Sequence, residues 1–218
     1  MPNSTVATKH LLTRRSTSIR NMVEPAPSQE DLKTILKIGA RVPDHGKRAP
    51  WYFVVFDEQA RKDIAPLLRE SYKQENPEAT DAKLDLESER FLRAPLVIGV
   101  ISRIREAKHP MWEQALSAGA VCLNICHAAH ALGYGANWLT EWYSFNDHFK
   151  KGLGLDERDN VAGFIYIGTP TCSNEERERP YLSKIVTHWS PEIPLNKGDK
   201  EYNQPKFGLP KQGVKFPD

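Results

Sequence analysis

The chain has 218 residues, 27% of them charged, and a formal net charge of +2. This length suits one domain with a substantial core, and the near-balance of charge gives no general attraction to nucleic acid, so any basic site is local. No apolar run approaches the ~20 residues that cross a bilayer, and the opening residues lack a secretory apolar core, so no membrane role is expected.

Residues 9–15 carry Leu11 and Leu12 and predict a short helix that feeds the basic pair Arg14-Arg15. Glu24-Pro25-Ala26-Pro27 breaks the chain. Ser28 then reads as a helix N-cap, with Asp31 three residues on and Leu32, Ile35 and Leu36 at helical spacing. Pro43 ends that region, and Gly46 is expected to keep the next loop flexible. Residues 51–56 are aromatic and β-branched, which predicts a buried strand. Residues 58–72 and 81–92 predict two surface helices separated by Asn76-Pro77, and residues 96–101 a second buried strand. Residues 111–132 form a long helical stretch with Gly133 at its C-terminal cap. From 115 to 131 it is small or apolar nearly all round, which predicts burial on more than one face and a place in a subunit interface. A short strand is expected over 134–140, a short helix over 145–153 and a third clear strand over 161–167. Past Trp189 proline, lysine and glycine take over. The organisation is therefore one domain over residues 7–189 and an extended tail, 190–218, that wraps a surface or stays mobile.

Arg14 and Arg15, followed by Ser16 and Thr17, can hold a dianionic phosphate, because guanidinium forks and hydroxyls supply converging donors. A solvated basic helix end is the plainer alternative. Arg41 and His45 stand four apart around Pro43. Histidine changes charge near neutrality, so His45 is a candidate proton donor. Gly133-x-Gly135 is not a dinucleotide fingerprint: the order is helix, turn, strand, and Trp138 stands at the third glycine position. Cys122, Cys126, His127 and His130 suggest metal at first sight. Cys122 and His130 would lie ~12 Å apart on one helix, too far to converge on zinc, so core packing is expected and no metal. Three cysteines without a disulfide framework suit a reducing, cytoplasmic setting. There is no G-x-S-x-G nucleophile elbow.

Arg14-Arg15-Ser16, Ala40-Arg41-Val42-Pro43-Asp44-His45-Gly46 with Ala49-Pro50-Trp51, Asn137-Trp138-Leu139-Thr140 and Ile167-Gly168-Thr169-Pro170 occur here in the order that resembles the nitroreductase family of FMN enzymes. The closer likeness is to its short branch with an RRS start and an A-P-D-H loop. The resemblance implies an α+β fold, a nitroreductase-like three-layer α-β-α sandwich with a central mixed sheet. It implies a homodimer with FMN at the interface, NADH or NADPH as electron donor, and a small nitro, quinone or enone oxidant. In that family the residues matching Arg14, Arg15 and Ser16 meet the flavin phosphate and ribityl chain. The place matched by Ser18 often carries a base facing the pyrimidine, so serine is a departure. Residues matching Arg41, Pro43 and His45 belong to the loop that reaches the flavin of the other subunit. Those matching Trp138, Leu139 and Thr140 run along the isoalloxazine, and Arg179 is placed to complete the phosphate site. Lys47-Arg48-Ala49 replaces the polar pair frequent before Pro-Trp. Dehalogenation, flavin cleavage and flavin binding without turnover remain alternatives on the same fold.

Overall fold

The computed structural model describes residues 5–197 other than 107 and 109. Local chemistry sets most helix boundaries. Helix α1 (Thr5–Thr13) stops just before Arg14. Ser28 caps α2 (Gln29–Gly39): its hydroxyl accepts the Asp31 N–H at 3.1 Å and donates to the Asp31 carboxylate at 2.9 Å. The segment expected as one helix over 58–72 is two, α3 (Glu58–Asp63) and α4 (Ala65–Glu75). Pro66 has no N–H with which to continue the first, and settles in the first turn of the second. Thr80 caps α5 (Asp81–Ser88), which passes into a 3-10 stretch, Glu89–Arg93. Helix α6 (Met111–Ala131) ends at Gly133, φ 89°, where the Gly133 and Tyr134 N–H groups return to the carbonyls of His130 and Ala129. That is the Schellman pattern, which needs a left-handed residue where glycine stands. Asn146 caps α7 (Asp147–Gly152), and a last turn, α8 (Leu182–Ile185), follows.

Five strands form the sheet: β1 (Met22–Val23), β2 (Trp51–Phe56), β3 (Leu96–Arg103), β4 (Gly135–Leu139) and β5 (Asp159–Pro170). The long β5 is central. It pairs with β3 along one edge, β4 and β1 share its other edge, and β2 lies beyond β3. Every pairing among the described residues is antiparallel, which corrects the expected mixed sheet. The reason is visible at β2: its helical connection returns to the sheet at the end it left, with Phe56 opposite Val97.

Alternation along β3 divides the core. Leu96, Ile98 and Val100 pack toward α2 and α6 with Ile35, Val121 and Ile125. Val97 and Ile101 face the other way, into a cluster of Phe91, Tyr143, Phe149, Phe164 and Tyr166. Phe91 meets Phe56, Tyr143 and Phe164 edge-on, with ring centroids 4.8–5.3 Å apart. Helices thus cover both faces of one sheet, the expected three-layer α+β arrangement.

Helix α6 buries Gln114, Ala118, Val121, Ile125 and Ala129 against this core. On its other side Trp112, Leu116 and Leu123 are exposed, so burial on more than one face does not occur within the single chain. After β5 the segment around α8 folds back on itself. The Asn196 side-chain amide donates to the Ser183 and Val186 carbonyls, and the Asn196 N–H to the Thr187 hydroxyl. Of the expected tail, residues 198–218 lie outside the described residues.

One contact is sterically narrow. The Trp138 indole lies against Gly163 and donates through Nε1 to the Ala162 carbonyl at 3.0 Å. A methyl group at 163 would overlap the indole. Gly163→Ala should therefore cost about 1–3 kcal/mol by overpacking, read as a lower denaturant midpoint at unchanged m, with altered tryptophan emission. Wild-type stability in that variant would show that Trp138 repacks freely.

Candidate functional site

Helix α6 is the axis along which the candidate residues are arrayed. Near its start the His45 Nδ1 meets the Glu113 carboxylate at 2.6 Å. One turn on, the Ser117 hydroxyl donates to the Pro43 carbonyl at 2.8 Å, and farther along Asn124 donates to the Arg41 carbonyl at 2.8 Å. The loop after α2 is therefore docked on α6. Around Gly46, where a flexible loop is expected, the Asp44 carboxylate accepts the N–H groups of Arg48 and Ala49 at 2.9 and 2.8 Å. Those bonds hold a backbone with φ of 75° at Gly46, 53° at Lys47 and 44° at Ala49. A left-handed alanine costs about 1–2 kcal/mol, so the loop is kept in shape by its surroundings.

Near the other end of α6, Arg14 lies close to Cys126, His127 and His130. Burial pulls both histidines below the usual imidazole range, and the Arg14 charge adds to the effect. His10 and His127 share a hydrogen bond at 3.1 Å, and His130 donates through Nδ1 to the Cys126 carbonyl at 2.6 Å. The Cys126 thiol is pushed up to about 11 by burial, and Cys122 is raised further by the same cause. These are packed thiols, not nucleophiles. Among the described residues no cluster of histidine, cysteine and carboxylate could hold a metal.

The basic segment is anchored to β4. The Thr17 N–H donates to the Ala136 carbonyl at 3.0 Å, and Asn137 donates back to the Thr17 carbonyl at 2.8 Å. Thr17 itself is buried and its hydroxyl accepts from Asn174 at 2.9 Å, so that side chain is a structural bolt. Ser16 and Ser18 flank it with exposed side chains. Arg15, only 18% exposed, donates through Nε to the Glu175 carbonyl at 3.1 Å and lies 3.6 Å from the Glu176 carboxylate. Arg179 donates to the same carboxylate oxygen through Nε and Nη2, at 3.2 and 3.1 Å. Two arginines far apart in sequence thus converge on one anion.

Trp138, 40% exposed, sits beside Gly119 of α6, with Leu139 half-buried and Thr140 exposed behind it. The next residue, Glu141, is held by both terminal nitrogens of Arg93 and by the Tyr143 hydroxyl. The structure therefore joins Arg15 to Arg179, groups Arg41, Pro43 and His45 on one loop, and lays Trp138, Leu139 and Thr140 between the two. It does not bring His45 to Arg14. From Glu113 to Cys126 the helix advances about 20 Å. Sequence reasoning missed Glu113, Asn174 and Glu176. The one available signal was the alternating charge of residues 175–179, which reads equally well as a solvated loop.

Residues 11–169 match the model of the nitroreductase family. The Escherichia coli K12 protein named "Putative NAD(P)H nitroreductase YdjA" is 35% identical over 161 residues, covering 73% of this chain and 86% of that protein. A nitroreductase-like family protein of Bacillus cereus superposes with a TM-score of 0.73 at 22% identity, over 83% of this chain and 94% of that one. A Desulfovibrio desulfuricans structure, named as that of a "putative nitroreductase in complex with FMN", gives a TM-score of 0.64 at 26% identity, over 84% of this chain and 97% of its own. Sequence relatives and shared architecture point the same way: the chain belongs to the nitroreductase family.

Proposed function

We propose that the protein is an FMN-dependent oxidoreductase that passes hydride from NADH or NADPH to a small nitro, quinone or enone acceptor by a ping-pong mechanism. The observation that carries this reading is the convergence of Arg15 and Arg179 on the Glu176 carboxylate, beside the anchored Thr17. A carboxylate is a stand-in for a phosphate oxygen, and guanidinium forks suit either anion, so the donor set fits the flavin phosphate. A relative named "Putative NAD(P)H nitroreductase" and a neighbour named as a complex with FMN support the same cofactor and donor. FMN, when bound, supplies the two-electron chemistry. The chain's own residues bind and orient it. Arg14, Arg15, Ser16 and Arg179 meet the phosphate end, and Ser18 belongs to the same flavin-binding segment. Trp138, Leu139 and Thr140 line the ring on a strand end fixed by Glu141.

His45 is the proposed proton donor, held by Glu113, and it serves the pocket of the neighbouring subunit. Its separation of about 20 Å from the Arg14 region along α6 supports this. So does the exposed row Trp112, Leu116 and Leu123, with Gly119 and Ala120 in its middle. Two antiparallel copies of α6 crossing at those small residues would bury both rows and set His45 of the partner subunit against the Arg14 end.

Three outcomes test the reading. Arg14→Ala and Arg15→Ala should each weaken FMN by roughly tenfold or more, since a charge-assisted hydrogen bond contributes ~1.5–3 kcal/mol. Riboflavin, titrated by fluorescence quenching, should lose far less. Equal losses for both flavins would remove the phosphate from this site.

Initial rates at varied acceptor and several NAD(P)H concentrations should give parallel lines, as expected when donor and acceptor use one pocket in turn. Intersecting lines would require a ternary complex and defeat the shared pocket.

A mixed dimer of one Arg14→Ala chain and one Arg41→Ala chain should retain one intact pocket in two, and so about half the FMN capacity at wild-type affinity. Two equally impaired pockets, or a monomer that binds FMN normally, would place the site within one subunit.

A further inference from the structure

Residues 174–179 read as Asn-Glu-Glu-Arg-Glu-Arg, and the structure lays this segment across the basic loop. Asn174 donates to the Thr17 hydroxyl at 2.9 Å, and the Glu175 carbonyl accepts from Arg15 at 3.1 Å. These two bonds hold the segment through its own uncharged groups, the Asn174 amide and the Glu175 carbonyl. Glu176 is different. Its carboxylate lies 3.6 Å from Arg15 and 3.1 Å from Arg179, and its side chain is 58% exposed. Within the core an arginine pair is shielded; here water reaches the carboxylate, so its release costs little desolvation.

We propose that Glu176 is the residue that sets the affinity of the phosphate site, acting as a built-in competitor whose carboxylate a phosphate monoester displaces from Arg15 and Arg179. The inference rests on the FMN reading and adds to it. Three features fit the role. The carboxylate accepts from Arg179 and lies beside Arg15, the two guanidinium groups that an incoming phosphate would use. The Arg177 N–H, then Arg179 and Arg15, hold its carboxyl below the ordinary glutamate range, which favours the charged form that competes with a phosphate. The segment stays attached through Asn174 and the Glu175 carbonyl when Glu176 swings out, so displacement needs one side chain to turn and no element to unfold.

The sign of the prediction separates competition from support. A positioning residue, when removed, weakens binding; a competitor, when removed, strengthens it. Glu176→Gln keeps the shape and removes the charge. Its FMN dissociation constant, measured by flavin fluorescence on the full chain, should fall roughly three- to tenfold at low salt, and the gain should shrink toward 0.5 M salt. Riboflavin should bind Glu176→Gln and wild type alike. Glu178→Gln is the control for net charge: Glu178 lies in the same segment, and among the described residues makes no ion pair with Arg15 or Arg179. It should move FMN much less.

Unchanged or weaker FMN binding in Glu176→Gln, with wild-type binding intact, would overturn the inference and leave the FMN reading standing. An equal gain in Glu176→Gln and Glu178→Gln would overturn it too, as a general charge effect. A wild-type protein that binds neither flavin would overturn the FMN reading itself, and the inference with it.

Discussion

The burial of one face of α6 is the constraint on which the rest of the molecule depends. Val121, Cys122, Ile125 and Ala129 are wholly buried, locked between the sheet and α2. That fixes the rotation of the helix about its own axis. Once the rotation is fixed, polar side chains on the flanks become fixed points. Glu113, Ser117 and Asn124 receive the loop after α2, while His127 and His130 mark the end near Arg14. Apolar packing is not directional, yet here it gives direction to groups that are. A helix of 21 residues is about 31 Å long, so the same packing also keeps the two ends of the candidate site apart.

What could be read in the sequence followed the range of the interactions. The Ser28 cap, the Gly133 stop and strand β2 are set within a few residues, and all three were legible, although β2, expected buried, is half-buried along residues 51–55 because it lies at the end of the strand order. The break at Ile64 was legible in principle, since Pro66 has no N–H with which to continue the first helix. Strand direction was not legible: it depends on where the helices after β2 return the chain, and no local pattern encodes that. Arg14 and Arg15 were legible as clustered positive charge in a nearly neutral chain, whereas Arg41 and Arg179 became candidates only through the family resemblance. Their partners were not, because a single glutamate in a charged run carries no mark of the arginine that folding will bring to it.

The Trp138–Thr140 segment shows how the two faces of the sheet cooperate. Trp138 looks toward α6 across Gly163, so its position is governed by the layer that contains the helix axis. Leu139 packs into the opposite layer, and Glu141 is tied there by Arg93 and Tyr143. Arg93 also covers the Tyr166 ring at 5.2 Å, and the Tyr143 and Tyr166 hydroxyls meet at 2.8 Å. A strand end gripped from both sides presents its backbone groups in one geometry. That is the property needed of a surface whose contacts with a ligand come from the main chain, where side-chain identity can vary.

Two glutamates with arginine partners occupy opposite ends of a scale set by burial. Glu87 is 1% exposed and receives Arg90, Lys83 and the Trp142 indole. Burial alone would raise its pKa, but those donors outweigh it and hold the carboxyl at about 2. A folded-state value below the ordinary 4.5 means that its contribution to stability is present above that pH and is lost as pH falls toward 2. Its charge is held in place, because unpairing would strand a carboxylate that is itself buried. Glu176 meets the same kind of partners with its own side chain 58% exposed, so water can replace them around its carboxylate at little cost. The pair chemistry is common to both. Solvent access makes the first a fixture of the fold and the second a contact that a competing anion can exchange.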